Sequence, residues 1–409
     1  MEIPSPLQVS PGSFGLPLTR AHPPPSSIGF HATRVKNILS RFLVGLISVN
    51  WSPPEVASLH WRQKCTLAFT QASRATWSSR QGEQSRKLLT GPALKQYCHS
   101  HGLNHKAVAL GHDTVPRRGE DLPTPIPVLH FIAAPQTQPT GPTILYFHGG
   151  GYQLPMEAGA HGPFALKCVA ACHARRVAFL EYSLTPEHQY PCQMVQAVAA
   201  LRYLLENEGL SPENIILGGD SAGGHLVLSL LTHLACPSPY ASPVDLQGRQ
   251  FKAVVGVSPW SKLSWPQAHA LRPAPYDFMT KERIEEILHM FNHPSDEVWG
   301  LLGEQQELLA VWKKAPPGSR TARSFSRKWL LTIGDAEILY DSCLEFGQGL
   351  LDLEVVRIDG GKALDLVQEL DYVLAVAPGE AHVQAALDCA TGVQNGRMLT
   401  SILAFLAAC

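Results

Sequence analysis

Beginning near residue 127, short apolar runs alternate with stretches of helical periodicity, and this alternation constrains the fold more than any other feature of the chain. The runs lie at 128–133, 143–147, 177–180, 214–217, 253–257 and 328–333, with one more before residue 380. Between them, Met194, Val195, Val198, Leu201 and Leu205 fall on one helical face, and residues 163–173, 222–235 and 395–408 read as further helices. Strands that alternate with helices predict a mainly parallel sheet covered on both faces.

Two stretches interrupt the pattern. Residues 261–320 hold proline-rich turns around a helix at 281–291, between a strand near 257 and one near 330. Long excursions at the carboxyl ends of strands are where α/β proteins build lids and substrate walls. The second interruption, 359–371, separates two candidate strands at 353–358 and 372–376, of which the architecture requires one. Upstream, residues 1–30 read as a disordered tail, since Pro23, Pro24 and Pro25 cannot continue a helix. Val35, Ile38, Leu39, Phe42 and Leu46 then recur at helical spacing. We read them as a helix packed on the main core, with a lid or membrane-surface role as the alternative. Together, 31–60 and 261–320 form the expected cap of a single domain spanning 31–409.

Composition removes several function classes. Lysine plus arginine numbers 33 and aspartate plus glutamate 34, so nucleic acid is not an expected partner by phosphate neutralisation. The nine cysteines are irregularly spaced, and the pair Cys168 and Cys172 lacks a second pair to complete a zinc set. No metal or organic cofactor is expected. Residues 1–25 show no apolar signal core, and 42–49 falls short of the ~20 residues of a membrane span. The chain reads as cytoplasmic, with reduced thiols.

The strongest chemical signal is Gly219-Asp220-Ser221-Ala222-Gly223-Gly224, which follows an apolar strand and opens a helix bearing Leu226, Leu230 and Leu234. A Gly-x-Ser-x-Gly turn in that context exposes the serine hydroxyl above the sheet. Chymotrypsin-like proteases carry a similar string, but they are all-β and their histidine and aspartate precede the serine. Upstream, His148-Gly149-Gly150-Gly151-Tyr152 follows a strand, and its glycines allow backbone amides to point into a cleft where an oxyanion forms. Of 18 histidines only His382 lies beyond residue 300, in a loop after 372–376. The order serine, acid, histidine makes it the candidate base. The acid belongs in Gly334-Asp335-Ala336-Glu337-Ile338-Leu339-Tyr340-Asp341. Asp341 falls in the following helix, and local reading leaves Asp335 and Glu337 both open.

These motifs, with Glu181-Tyr182-Ser183-Leu184-Thr185-Pro186-Glu187, resemble the hormone-sensitive-lipase-like branch of the α/β hydrolases, in particular its fungal members. The resemblance covers about 125–409. It implies an α/β-hydrolase fold, with a mostly parallel central sheet, helices on both faces and a helical cap. Laying the family's Asp-Pro-Leu-x-Asp motif on Glu337-Ile338-Leu339-Tyr340-Asp341 puts the triad acid at Glu337, a glutamate in place of aspartate. The implied oxyanion donors are Gly150, Gly151 and Ala222. Ser183 stands where the family has arginine, in a segment read as structural. The acid-to-histidine separation is longer than usual, the extra material being 358–370.

The expected activity is that of a serine carboxylester hydrolase with catalytic Ser221, Glu337 and His382, acting on an apolar or acetylated small-molecule ester, with a place in secondary metabolism. Trp260, Trp265, Phe278, Met279, Met290 and Phe291 suggest an apolar substrate face or core packing. An acyltransferase or cyclase on the same site is the nearest alternative. A non-catalytic receptor on the same fold is more distant, because the base is present. Oligomeric state is not addressed by these residues.

Overall fold

A computed structural model describes residues 27–50, 52–75, 90–111, 125–135, 140–262, 271–291, 312 and 322–409. Nine strands form one sheet in the order β1-β2-β4-β3-β5-β6-β7-β9-β8. In chain order these are β1 Asn104–Ala109, β2 Val128–Ala133, β3 Thr143–Phe147, β4 Arg176–Glu181, β5 Ile215–Asp220, β6 Ala253–Val257, β7 Trp329–Gly334, β8 Glu354–Arg357 and β9 Tyr372–Ala377. The β1–β2 and β2–β4 pairs are antiparallel, and every other pair is parallel. The chain thus has the mostly parallel α/β architecture read from its alternation. β1 is an addition, since four of its six residues are exposed and it carries no apolar run.

All residues of β3, β5, β6 and β7 are buried, because helices cover both faces. Side chains alternate across the sheet with the strand period. Leu145 and Phe147 join one apolar core, while Ile144 and Tyr146 join the other.

Helix α1 spans Ser27–Asn50 and α2 spans Trp61–Ala75, so α1 begins inside the stretch expected to be a disordered tail. The rest of that tail lies outside the described residues. The helices meet where a Cβ on Gly45 would come within 3.1 Å of the Ala68 Cβ. Ile38, Phe42 and Leu46 are half buried, but Val35 and Leu39 are 54% and 55% exposed. The expectation that this whole face packs on the main core is therefore corrected: α1 lies on α2 rather than on the sheet, and one neighbouring helix covers only a narrow stripe. Among the described residues, no helix is long and apolar enough to cross a membrane.

Further along are α3 Thr90–Ser100, α4 Ala158–Ala171, α5 Cys192–Arg202, α6 Ala222–Ala235, α7 Lys281–Phe291, α8 Tyr340–Leu344, α9 Gly361–Glu369, α10 Gln384–Thr391 and α11 Arg397–Ala407. Both candidate strands around 359–371 form, as β8 and β9, and α9 is the crossover between them. Two parallel neighbours need such a connection of a dozen or more residues, so this segment belongs to the sheet and β9 enters the His382 loop in register with β7. The excursion at 261–320 is described only at 261–262, 271–291 and 312; Trp265 and the Phe291 side chain lie outside the described residues.

Candidate active site

The candidate residues collect at the carboxyl ends of the parallel strands β3, β5, β7 and β9, the rim where open α/β sheets bind ligands. Ser221 follows β5 directly and starts α6, with φ +51° and ψ −119°. A non-glycine residue in that region is strained and persists only where its surroundings over-determine it. A Cβ at Gly223 would lie 2.0 Å from the Phe147 carbonyl oxygen, and one at Gly219 would lie 2.4 Å from the Gly223 oxygen. Glycine alone lets strand and helix approach this closely. The turn is stitched to β6: Ser221 N donates to Val257 O at 2.9 Å, and Trp260 N donates to Ser221 O at 3.0 Å.

The glycine loop after β3 is held by the residue that precedes the serine. Gly150, Gly151 and Tyr152 take φ of +113°, +62° and +59°, a reversal that turns successive amides. Asp220 accepts from Gly149 N at 3.0 Å and from Tyr146 Oη at 2.9 Å, and His161 Nε2 lies 3.3 Å from the same carboxylate. Burial alone would raise the Asp220 carboxyl; the charge and hydrogen bond of His161 outweigh it and hold the group below its ordinary value. Tyr182 Oη donates to His148 O at 2.6 Å, and the two rings stack with centroids 4.3 Å apart. Burial pushes the His148 imidazole down to about 4, so it stays neutral beneath the loop. Ala222 is the first residue of α6, where an amide has no intrahelical acceptor.

His382 Nε2 stands 2.9 Å from Ser221 Oγ. The His382 loop is fixed at both sides. Glu380 accepts from Arg397 N at 2.6 Å, Met398 N at 2.8 Å and Gln63 Nε2 at 3.2 Å. Gly379, at φ +73°, packs so closely on the 54–57 turn that a Cβ would meet Glu55 O at 2.3 Å. His382 is buried, which by itself would lower its pKa; Glu337, then Asp277 and Asp220, carry it above the ordinary histidine value.

The three carboxylates after β7 part company. Glu337 is fully buried and its Oε2 lies 3.8 Å from His382 Nδ1. Asp335 accepts from Gly379 N at 2.6 Å and pairs with Arg357 Nη1 at 2.9 Å, so it braces the His382 loop. Asp341 is 66% exposed and faces Arg272. The 3.8 Å gap is longer than a hydrogen bond, and Glu337 Oε1 and His382 Nδ1 are buried without a partner among the described residues. Catalytic hydrogen bonds in ligand-free sites are often long and tighten when substrate binds.

Two neighbours were not singled out from the sequence. Ser258, directly after β6 at φ +44°, donates to Glu337 Oε2 at 2.6 Å and accepts from Val383 N at 3.1 Å. Its place at a strand's carboxyl end was the available signal. Asp277 accepts from Ile338 N at 2.8 Å, and nothing local marks it within the excursion. The described part of that excursion, 271–291, packs over the site. The Phe278 ring stands 5.9 Å from that of His382, a Cβ on Gly151 would fall 2.7 Å from Ile287 Cδ1, and Arg283 Nη2 donates to Gln153 Oε1 at 2.8 Å. A cleft of about 620 Å³ lies between this segment and α1 and α2, with Val44, Ala72, Arg74, Phe278 and Arg283 among its walls. Among the described residues, no cluster of histidine, cysteine, aspartate or glutamate is arranged to hold a metal ion.

A family model described as alpha/beta hydrolase fold matches residues 144–300. An esterase from the bacterial hormone-sensitive lipase family superposes with a TM-score of 0.57 at 21% identity, covering 86% of this chain and 98% of that one. The chain has an α/β-hydrolase fold and resembles the hormone-sensitive-lipase-like esterases. The chain is also 37% identical over 111 residues to Carboxylesterase NlhH of Mycobacterium tuberculosis, covering 26% of this chain and 34% of the relative. It is 36% identical over 144 residues to an acetyl-hydrolase of Streptomyces hygroscopicus, covering 33% and 41%. The matched stretch thus spans well under half the length of these relatives.

Proposed function

We propose that the chain is a serine carboxylester hydrolase in which Ser221 is the nucleophile, His382 the general base and Glu337 the triad acid. The observation that carries the reading is the 2.9 Å contact between Ser221 Oγ and His382 Nε2 at a strained strand-to-helix turn. Ser221 Oγ attacks the acyl carbonyl as His382 Nε2 takes its proton. The Glu337 carboxylate stabilises the imidazolium that forms. The amides of Gly150, Gly151 and Ala222 receive the oxyanion, each donor contributing about 10²–10³ in rate. Collapse expels the alcohol, which takes the proton from His382. Water, deprotonated by the same imidazole, then releases the acid and restores Ser221. No metal or cofactor enters these steps.

The substrate is a small-molecule ester with an apolar or acetyl group. Relatives named carboxylesterase and acetyl-hydrolase and the buried Trp260, Phe278 and Met279 support that class. We read 31–409 as one domain whose cap comes from α1 and the 261–320 excursion. The resemblance further suggests a fungal type with a role in secondary metabolism, and nine free thiols fit a cytoplasmic setting. Fluorophosphonate labelling with peptide mapping tests the reading: the probe is expected on Ser221, with Ser221→Ala both unlabelled and inactive on p-nitrophenyl acetate. Labelling elsewhere, or unchanged turnover by that variant, removes the nucleophile assignment.

A further inference from the structure

We infer that Asp277, supplied by the excursion that covers the site, is a second carboxylate serving the His382 imidazole, a positioning residue that couples the cap to the base and sets where the base loses activity toward acid. The inference rests on the catalytic reading above and adds to it.

Asp277 is 3% exposed. Its Oδ2 accepts from Ile338 N at 2.8 Å and its Oδ1 from Met279 N at 3.2 Å. The first bond grips the residue next to Glu337; the second folds the cap segment back on itself. The adjoining Phe278 ring stands against the His382 ring, and Gln71 of α2 donates to the Asp277 main-chain carbonyl at 2.9 Å. Two consecutive cap residues therefore touch both sides of the acid–histidine pair.

The charge arrangement gives this contact a chemical consequence. The ionisable groups facing Asp277 are His382 from the loop after β9, Glu337 from the loop after β7 and Arg74 from α2. Arg74 lies over the Phe278 ring, 5.3 Å from its centroid, and burial, then Arg283, lowers its guanidinium to about 10 while Asp277 opposes that shift. Glu337, the nearer carboxylate, stands beyond hydrogen-bond length from Nδ1 and already receives the Ser258 hydroxyl. Asp220, engaged by His161, Tyr146 and Gly149, adds a smaller attraction; the imidazolium formed in turnover thus draws on several buried anions, Asp277 among them, rather than one tight pair. Burial raises the Asp277 carboxyl to about 6, with His382 pulling it down and Glu337 pushing it up. Above that pH the ionised carboxylate favours the imidazolium and raises the pKa of the base. Removing its charge lowers that pKa, so the acidic limb of kcat/KM moves to lower pH.

The test is the pH dependence of kcat/KM on p-nitrophenyl acetate for the full chain, Asp277→Asn and Arg74→Gln, each with fluorophosphonate labelling. Asp277→Asn keeps one acceptor for Ile338 N while losing the charge. Its acidic limb is expected to fall by about half a pH unit or more, within the range a nearby charge produces. Arg74→Gln removes the opposing cation and is expected to move the limb up. A purely structural Asp277 would lose activity by the same factor at every pH with the limb unmoved, and that result overturns the inference. If Asp277→Asn does not fold, the Arg74→Gln limb decides, and one that stays in place or falls overturns it. A parent chain that takes no label overturns the catalytic reading and this role with it, whereas a labelled parent with unmoved limbs overturns this role alone.

Discussion

The two halves of the site are built differently. The half carrying the proposed nucleophile is closed by tight backbone contacts between two neighbouring strands, β3 and β5. Gly219 and Gly223 permit the turn at Ser221, and Asp220 ties both the glycine loop, through Gly149 N, and β3, through Tyr146 Oη, to that turn. The acid–histidine half, from β7 and β9, is assembled from distant pieces: Ser258 after β6, Asp277 from the cap, Gln63 from α2 and the start of α11. The first half leaves little room to relax. Among the described residues, His148 Nε2 lacks a partner in the first half, but the second leaves its central pair open, with Glu337 Oε1 and His382 Nδ1 both without one. On the proposed roles, this sets a preformed nucleophile beside an adjustable base, so substrate and the proposed cap would act mainly on the second half.

The sharpest way to break this comparison is at the acid. Glu337→Gln is expected to cut kcat by up to about 10⁴-fold, because the imidazolium loses its nearest counter-charge. Asp335→Asn, which disturbs only the brace on Gly379, is expected to cost about tenfold or less. Steady-state kinetics on p-nitrophenyl acetate measures both, and the reverse ranking moves the acid to 335.

A middle-sized effect is expected at Ser258→Ala. The variant strips Glu337 Oε2 of its donor and leaves Val383 N without an acceptor, at a cost of about 1–3 kcal/mol for buried groups left unpaired. We expect a lower kcat, little change in KM and undiminished fluorophosphonate labelling at equilibrium. A slowed KM-dominated enzyme would instead show that Ser258 shapes the substrate pocket.

The smallest effect concerns the support under the His382 loop. Gln63 Nε2 bridges Glu380 Oε1 at 3.2 Å and Asp388 Oδ2 at 3.0 Å. Burial, then the charge of Glu380, raises the Asp388 carboxyl from its ordinary 3.8 to about 8. The folded chain therefore holds a proton that the unfolded chain releases between those values. The associated stability is full below about pH 4 and is lost as pH rises through 8. Asp388→Asn removes this dependence. Its melting temperature relative to the parent is expected to improve from pH 5 to pH 8 by about a few degrees, and a constant difference across that range refutes a proton held on Asp388.

How much of this was legible in the residues differs along the chain. The strands at 143–147, 253–257 and 328–333 announced themselves because burial on both faces demands unbroken apolar runs. β1 did not, because an edge strand with mostly exposed residues has no such pattern. The segment 359–371 looked superfluous because nothing local distinguishes a crossover helix from a surface excursion until the register of β8 against β9 is known. On α1, periodicity correctly indicated a helix and wrongly indicated what Val35 and Leu39 face, since an apolar stripe does not name its partner.

By itself, the chain's pattern determined the alternating α/β architecture, the strained serine turn and the glycine loop. Those features are written in residue types: apolar runs for strands buried on both faces, and glycines where backbones approach closely, even though the backbone Gly223 meets, at Phe147, lies far along the chain. Local reading left Glu337 and Asp335 open and the family resemblance pointed to Glu337; the tertiary structure sets Glu337 against His382, and only it brought Ser258 and Asp277 to that pair. A polar side chain's partner is set by where other strands and the cap come to rest, and hydrogen bonds between residues 44 to 125 positions apart, such as those of Asp335, Asp277, Ser258 and Val383, leave no local trace.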